Sequence, residues 1–272
     1  MVITRTQAIA LLAVPALVLA LGACSSAEDA ETRPATTTSV PATTTPATTS
    51  TTVTPDPLED QTPPQAVNGL VVRGDTIWVA ALNSDQVLQI DRETGAIVSR
   101  VETPGSSPDD VAVGPDGAVY WTGFGDGSVG RITGGISETI ANVGAGANPF
   151  GITDEGELIV GRAVTADGLY RVPLDGGEPE VIASAVGDMN AFVIDENDVV
   201  GPVGGVLGPG GVNAVDLTTR EVSELGKGFP AGVTASALDV DGEVILLSPN
   251  GQVWRFDDVA GTVEPALNLP PG

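Results

Sequence analysis

The sequence predicts an all-β chain folded as a β-propeller of four-stranded antiparallel blades. Three observations predict it. The first is one unit, Pro108-Asp109-Asp110-Val111-Ala112-Val113-Gly114-Pro115-Asp116-Gly117-Ala118-Val119-Tyr120-Trp121-Thr122, which reads strand, Asp-Gly turn, strand. Asp-Gly supplies the φ > 0 residues that a two-residue hairpin demands. A third strand follows from Val129 to Ile132, and a fourth follows Gly134-Gly135, from Glu138 to Val143. The second observation is that this unit returns about every 41 residues, a spacing in the range of propeller blades. The third is composition. Gly 35, Pro 21 and 17% charged residues suit a turn-rich β chain, and no stretch carries a helical period.

Residues 1–23 read as a targeting segment. Arg5 forms a short positive region, and Ala8 to Leu21 is an apolar run interrupted by Pro15. The run falls short of the ~20 apolar residues that span a bilayer. Leu21-Gly22-Ala23-Cys24 resembles the bacterial lipobox, in which a lipid-modified cysteine becomes the new N-terminus. Cys24 is the sole cysteine and stands where that motif requires it. The resemblance implies export, lipidation at Cys24 and attachment to the outer face of a bacterial cell membrane.

Residues 24–64 read as a linker. Thr43-Thr44-Thr45-Pro46-Ala47-Thr48-Thr49 is typical of it. Such a stretch has no apolar period with which to bury a core, and proline keeps it extended. It holds whatever follows clear of a membrane.

Residues 65–272 hold five repeats. Third strands recur at Val87 to Asp91, Val129 to Thr133, Leu169 to Pro173, Asn213 to Leu217 and Val253 to Asp257. Second strands keep step at Ile77-Trp78-Val79, Val119-Tyr120-Trp121, Leu158-Ile159-Val160, Asp198-Val199-Val200 and Val244 to Leu247. First strands fall at Gly69 to Val72, Val111 to Val113, Gly151-Ile152, Phe192 to Ile194 and Ala237 to Val240. Outer strands such as Ala96 to Val101 and Pro179 to Ile182 close each unit. Blades stack face to face, so inner strands are expected to be apolar on both faces and outer strands polar. Trp78, Trp121 and Trp254 then belong to inter-blade packing.

Charge and residue absences exclude several functions. Net charge is -25, and the pI is near 4.1. Nucleic acid is excluded as a partner, because phosphate binding needs a basic face. His is absent, which removes Ser-His-Asp and Cys-His catalysis and imidazole metal ligands.

Asn68-Gly69-Leu70-Val71-Val72, Val111 to Gly117, and Pro149-Phe150-Gly151-Ile152 with Glu155-Gly156 and Leu158-Ile159-Val160 resemble blades of the six-bladed NHL and gluconolactonase-like (TolB-like) propellers. The resemblance runs over 67–269. It implies a six-bladed ring, so a chain that stops at Pro270-Pro271-Gly272 after five repeats is expected to be a truncated product or fragment. The streptogramin lyases of this superfamily use a catalytic histidine, so their activity is not expected here. The gluconolactonase group holds a divalent cation in the channel with Glu, Asn and Asp side chains. The sensor and scaffold members bind a partner on one face without chemistry.

The entrance of each innermost strand faces the channel. At that register stand Asn68, Asp110, Asn148 and Asn190, with Ala235 in the fifth repeat. Their oxygens suit Ca2+ or another divalent cation, and the same residue types also close Asx-turns before strands. The glutamate that opens the first blade in the family has no counterpart near Asn68. Asp239-Val240-Asp241-Gly242-Glu243 is a hairpin turn before it is a calcium loop.

Two functions follow as expectations. The first is a membrane-anchored lipoprotein whose propeller binds a small-molecule or protein ligand on one face without catalysis. The alternative is a metal-dependent lactone or ester hydrolase, with Asp110 as candidate catalytic base and a metal-bound water as nucleophile.

The lipobox reading has a direct consequence. Cys24→Ala is expected to release the protein into the medium or to stall its processing. Membrane fractionation checks this, and a processed variant that stays in the membrane contradicts lipid anchoring.

Overall fold

A computed structural model describes residues 56–164, 167–204, 210–229, 235–238, 242–247, 252–257 and 260–268. The targeting segment, Cys24 and most of the linker lie outside them, as do Asp239 to Asp241 and the final Pro270-Pro271-Gly272. The described residues form five four-stranded antiparallel sheets arranged as a propeller. Blade 1 holds β1 (Val67–Arg73), β2 (Thr76–Ala81), β3 (Gln86–Asp91) and β4 (Ile97–Glu102). Blade 2 holds β5 (Pro108–Val113), β6 (Val119–Gly123), β7 (Ser128–Thr133) and β8 (Ile136–Asn142). Blade 3 holds β9 (Ala147–Ile152), β10 (Leu158–Arg162), β11 (Gly168–Val172) and β12 (Glu180–Ala183). Blade 4 holds β13 (Val193–Asp195), β14 (Asp198–Val203), β15 (Gly210–Asp216) and β16 (Val222–Phe229). Blade 5 holds β17 (Ala235–Leu238), β18 (Val244–Leu247), β19 (Gln252–Asp257) and β20 (Thr262–Asn268). The first strand of each blade lies beside the first strand of the next, so β1, β5, β9, β13 and β17 surround the channel.

Turn chemistry sets the hairpins. Asp116 accepts from the Ala118 amide at 3.1 Å, and Gly117 takes φ 80°, which only glycine adopts without strain. Asp91 accepts from the Thr94 amide, and Asp216 accepts from those of Thr218 and Thr219. Part of the acidic excess is thus consumed in closing turns.

The core is a set of inter-blade seams. Val87 and Ala80 of blade 1 meet Val111, Val119 and Trp121 of blade 2. Tyr120 and Val129 of blade 2 meet Phe150, Leu158 and Val160 of blade 3. Ile159 and Leu169 of blade 3 meet Phe192, Val199 and Val215 of blade 4. Val200, Val212 and Ala214 of blade 4 meet Leu246 and Phe256 of blade 5, with Trp254 packed alongside. Alternate residues of a strand serve opposite seams, as Leu158 and Ile159 do, which is why inner strands read apolar on both faces. Trp78, Trp121 and Trp254 all sit in seams, as the sequence predicts.

Among the described residues no such cluster joins blade 5 to blade 1. The inner-strand rule breaks there: Val67, Leu70 and Val72 of β1 are exposed. A second departure is the segment before β1, which reads as spacer through Pro64 but is laced to blade 1. The Leu58 amide donates to the Ile97 carbonyl at 2.8 Å, and the Gln61 side chain both donates to and accepts from Ile97, each at 2.9 Å. Arg100 donates to the Thr62 carbonyl, and the Gln65 amide donates to Ser84 Oγ at 3.2 Å. Finally, the first strand of blade 5 begins at Ala235 rather than Ala237.

Gly130 shows how tightly a seam is packed. It pairs with Trp121, and a Cβ on it would stand 2.1 Å from the indole, whose Nε1 donates to Ser137 Oγ at 3.0 Å. Gly130→Val is expected to cost about 1–3 kcal/mol by overpacking. Urea unfolding of variant and parent measures it; equal midpoints would mean that the indole moves aside freely.

Candidate functional site

Three inner strands break register at the same place. The β1–β2 ladder slips between Val67 and Leu70, at Asn68-Gly69. The β5–β6 ladder slips between Pro108 and Asp110, at Asp109. The β9–β10 ladder slips between Ala147 and Phe150, at Asn148-Pro149. A bulge rotates its residues out of the strand's alternation and can aim a polar side chain toward a site that a regular strand would miss. Here the bulges gather polar side chains at one end of the channel wall.

The structure brings the expected residues together in two pairs with a carboxylate between them. Asn68 Nδ2 donates to Asp109 Oδ1 at 2.7 Å, and Asn148 Nδ2 donates to Asn190 Oδ1 at 3.3 Å. Asp110 lies between blades 1 and 3. Its Oδ1 accepts from the Val111 amide at 3.2 Å, and its Oδ2 from the Phe150 amide of β9 at 3.5 Å. Toward β1, a Cβ on Gly69 would stand 2.3 Å from Asp110 Oδ1, so glycine is what lets the carboxylate seat. Ala235 of β17 adds no polar atom.

Asp109 is the residue that strand reading misses. It is 4% exposed, more deeply buried than Asp110, because the bulge turns it inward. Alternation along β5 would have sent Asp109 and Asp110 to opposite faces. The available signal was the doubled acid itself, directly after Pro108 and before an apolar run.

The electrostatics of this pair are unfavourable. Protein surrounds Asp110 on nearly every side, although a channel-facing edge keeps it partly open to water. This desolvation pushes its carboxyl up to about 7, and the Asp109 charge pushes the same way against the amides of Phe150 and Val111. Burial raises Asp109 as well, opposed by the Asn68 amide. Among the described residues no Lys or Arg offsets either group.

As a donor set these are hard oxygens: two carboxylates, and the amide oxygens of Asn68 and Asn148, whose Nδ2 groups are spent in hydrogen bonds. That chemistry fits calcium, which takes six to eight oxygens. Among the described residues no group of three or more acidic or thiol side chains stands together as a metal cluster. Such a cation would therefore rest on Asp109 and Asp110 for charge and on amides for the remainder. A separate groove of about 430 Å³ lies on blade 3, lined by Glu157, Arg171, Leu174, Asp175 and Glu180.

No protein-family model and no curated protein matches the chain. Solved structures do resemble its fold. A gluconolactonase from Xanthomonas campestris superposes with TM-score 0.61 at 17% identity, covering 76% of this chain and 77% of that one. A catalytically inactive virginiamycin B lyase from Staphylococcus aureus, with quinupristin, superposes at 0.61 with 16% identity over 79% and 73%. Regucalcin from Agrobacterium tumefaciens, a calcium-binding protein, superposes at 0.58 with 16% identity over 75% of each chain. At these identities the likeness is one of fold.

The raised Asp110 carboxyl fixes a pH dependence. A carboxyl whose folded value lies above its unfolded one stabilises the folded chain most at low pH, where both states are protonated. Stability then falls as pH rises from about 4 to about 7 and levels off above, by no more than about 4 kcal/mol for Asp110. Asp110→Asn is expected to gain on the parent across that window. Urea melts from pH 4 to pH 8 test it, and parallel curves for the two proteins would refute the burial.

Proposed function

We propose that this chain is an exported, lipid-anchored binding protein. Cys24 attaches it to the membrane, the Thr/Pro linker holds the propeller outward, and the ligand engages the channel end built by Asn68, Asp109, Asp110, Asn148 and Asn190. The observation that carries this reading is the buried Asp109–Asp110 pair, which has no cationic side chain to balance it. Two adjacent carboxylates in a poorly solvated wall attract a divalent cation or a ligand ammonium, since either relieves the repulsion. Bound there, a divalent cation would supply positive charge for an oxygen-bearing ligand to share. Asn68 and Asn148 would orient that ligand.

One observation favours the alternative, a metal-dependent lactone or ester hydrolase. Asp110 at about 7 has the proton affinity of a general base working at neutral pH. Yet a cation beside Asp110 would pull that value down, so the two duties conflict at one residue. The binding role has no such conflict.

Calcium titration of the full-length chain, read by thermal melting at pH 6 and pH 8, tests the site. At a hundred times its dissociation constant the ion is expected to stabilise by about 2.7 kcal/mol. The effect should be larger at pH 8, where protons compete less for Asp110. Asp110→Asn and Asp109→Asn should abolish it. A flat titration at both pH values removes the cation, and calcium-dependent hydrolysis of δ-gluconolactone that is lost in Asp110→Asn would favour the hydrolase.

A further inference from the structure

Two seams in this propeller are pinned in the same way. On blade 2 a cross-strand rung runs Ala112, Tyr120, Arg131, Glu138. Arg131 pairs with Glu138, and its Nη1 donates to the Leu174 carbonyl of blade 3 at 3.2 Å. On blade 3 the corresponding rung runs Gly151, Ile159, Arg171, Glu180. Arg171 pairs with Glu157 and Glu180, each at 3.1 Å, and its Nη2 donates to the Leu217 carbonyl of blade 4 at 3.2 Å. In both cases carboxylates on the arginine's own blade hold the guanidinium, and a remaining N–H reaches the backbone of the next blade. The guanidinium has the five donors in a fixed fork that this needs.

Blade 5 repeats the arrangement on its far face. The rung there is Ala237, Ile245, Arg255, Glu264. Glu243 precedes β18 as Glu157 precedes β10, and it holds Arg255 Nε at 2.6 Å. The neighbouring rung, Ala235, Leu247, Val253, Leu267, is apolar throughout. Among the described residues no cluster packs on this face. The Arg255 side chain is 52% exposed against 24% for Arg171, and Leu267 is 55% exposed. Across the opening, Leu70 and Val72 of β1 are 60% and 47% exposed. Two apolar walls therefore flank one gap, and one wall carries the same arginine that elsewhere pins a following blade.

We propose that this gap docks a β-sheet supplied by another polypeptide: one sheet thick, apolar on both faces, and presenting a backbone carbonyl beyond its third strand to Arg255. The occupant is read from the seams inside the chain, where the same rung is covered by such a sheet. A second copy offers only a terminal blade with four more stacked behind it, which matches one wall and not both. A face of roughly four strands by five residues covers about 300 Å² at strand spacing and rise. Two walls and the two faces of an insert then remove on the order of 1,200 Å², the size of a specific interface. The inference is independent of the channel site.

The probe is a synthetic peptide of residues 190–229, the blade that receives Arg171. It is titrated into the full-length chain in detergent and followed by sedimentation velocity and thermal melting. The expected result is one peptide per chain with a raised melting temperature. Arg255→Glu and Leu247→Lys should each weaken binding at least tenfold while melting like the parent without peptide. A second comparison needs no peptide: Arg171→Ala should lower the melting temperature, and Arg255→Ala should not, because only Arg171 joins two blades. Equal losses in these two variants would mean that the chain already covers the face, and the proposal fails. It also fails if the peptide does not bind, or if the parent sediments as a dimer that Leu247→Lys dissociates.

Discussion

The constraint on which this structure depends is that each blade is a sheet with two apolar faces and no means of covering either alone. Leu158 and Ile159 are adjacent and both fully buried, one in the seam with blade 2 and the other in the seam with blade 4. Burial worth about 25 cal/mol per Å² is available only when the neighbouring blade is in place. Stability is therefore shared between neighbours, as in other repeat architectures. The polar pins at Arg131 and Arg171 add direction to seams whose apolar contacts have none.

Stacking sheets about an axis brings their inner strands together, and there the regular ladder gives way. The bulges at Asn68-Gly69, Asp109 and Asn148-Pro149 fall at one level of the wall, so the departure from pleated geometry is itself repeated. What it places there is electrostatically expensive: a buried aspartate pair served by backbone amides and a single asparagine amide. A wall built only for packing would hold apolar residues at this level, as Ala235 does in blade 5.

The blades were legible in the sequence because turn residues and apolar strands recur at fixed spacing, and that spacing is a local property. The channel residues were partly legible for the same reason, since strand register puts Asn68, Asp110, Asn148 and Asn190 at equivalent positions. Asp109 was not, because a bulge breaks the alternation on which such reading rests. The arginine pins were not legible either. Arg131 and Arg171 gain meaning only through carbonyls 43 and 46 residues away. The lacing of residues 58–66 was hidden by composition: proline and threonine read as spacer, and nothing local shows that Gln61 will satisfy the backbone of Ile97.

That lacing has a mechanical consequence. A pull applied from the N-terminal side meets the contacts in series: Leu58 and Gln61 on Ile97, then Thr62 on Arg100, then Gln65 on Ser84. Bonds loaded in series peel one at a time at low force, whereas a strand loaded along its length must break its whole ladder together. Tension along the leading chain is thus spent opening the lacing, with several residues of slack released, before any reaches β1 and the channel wall. The segment acts as a mechanical fuse between a pulled chain and the propeller it carries.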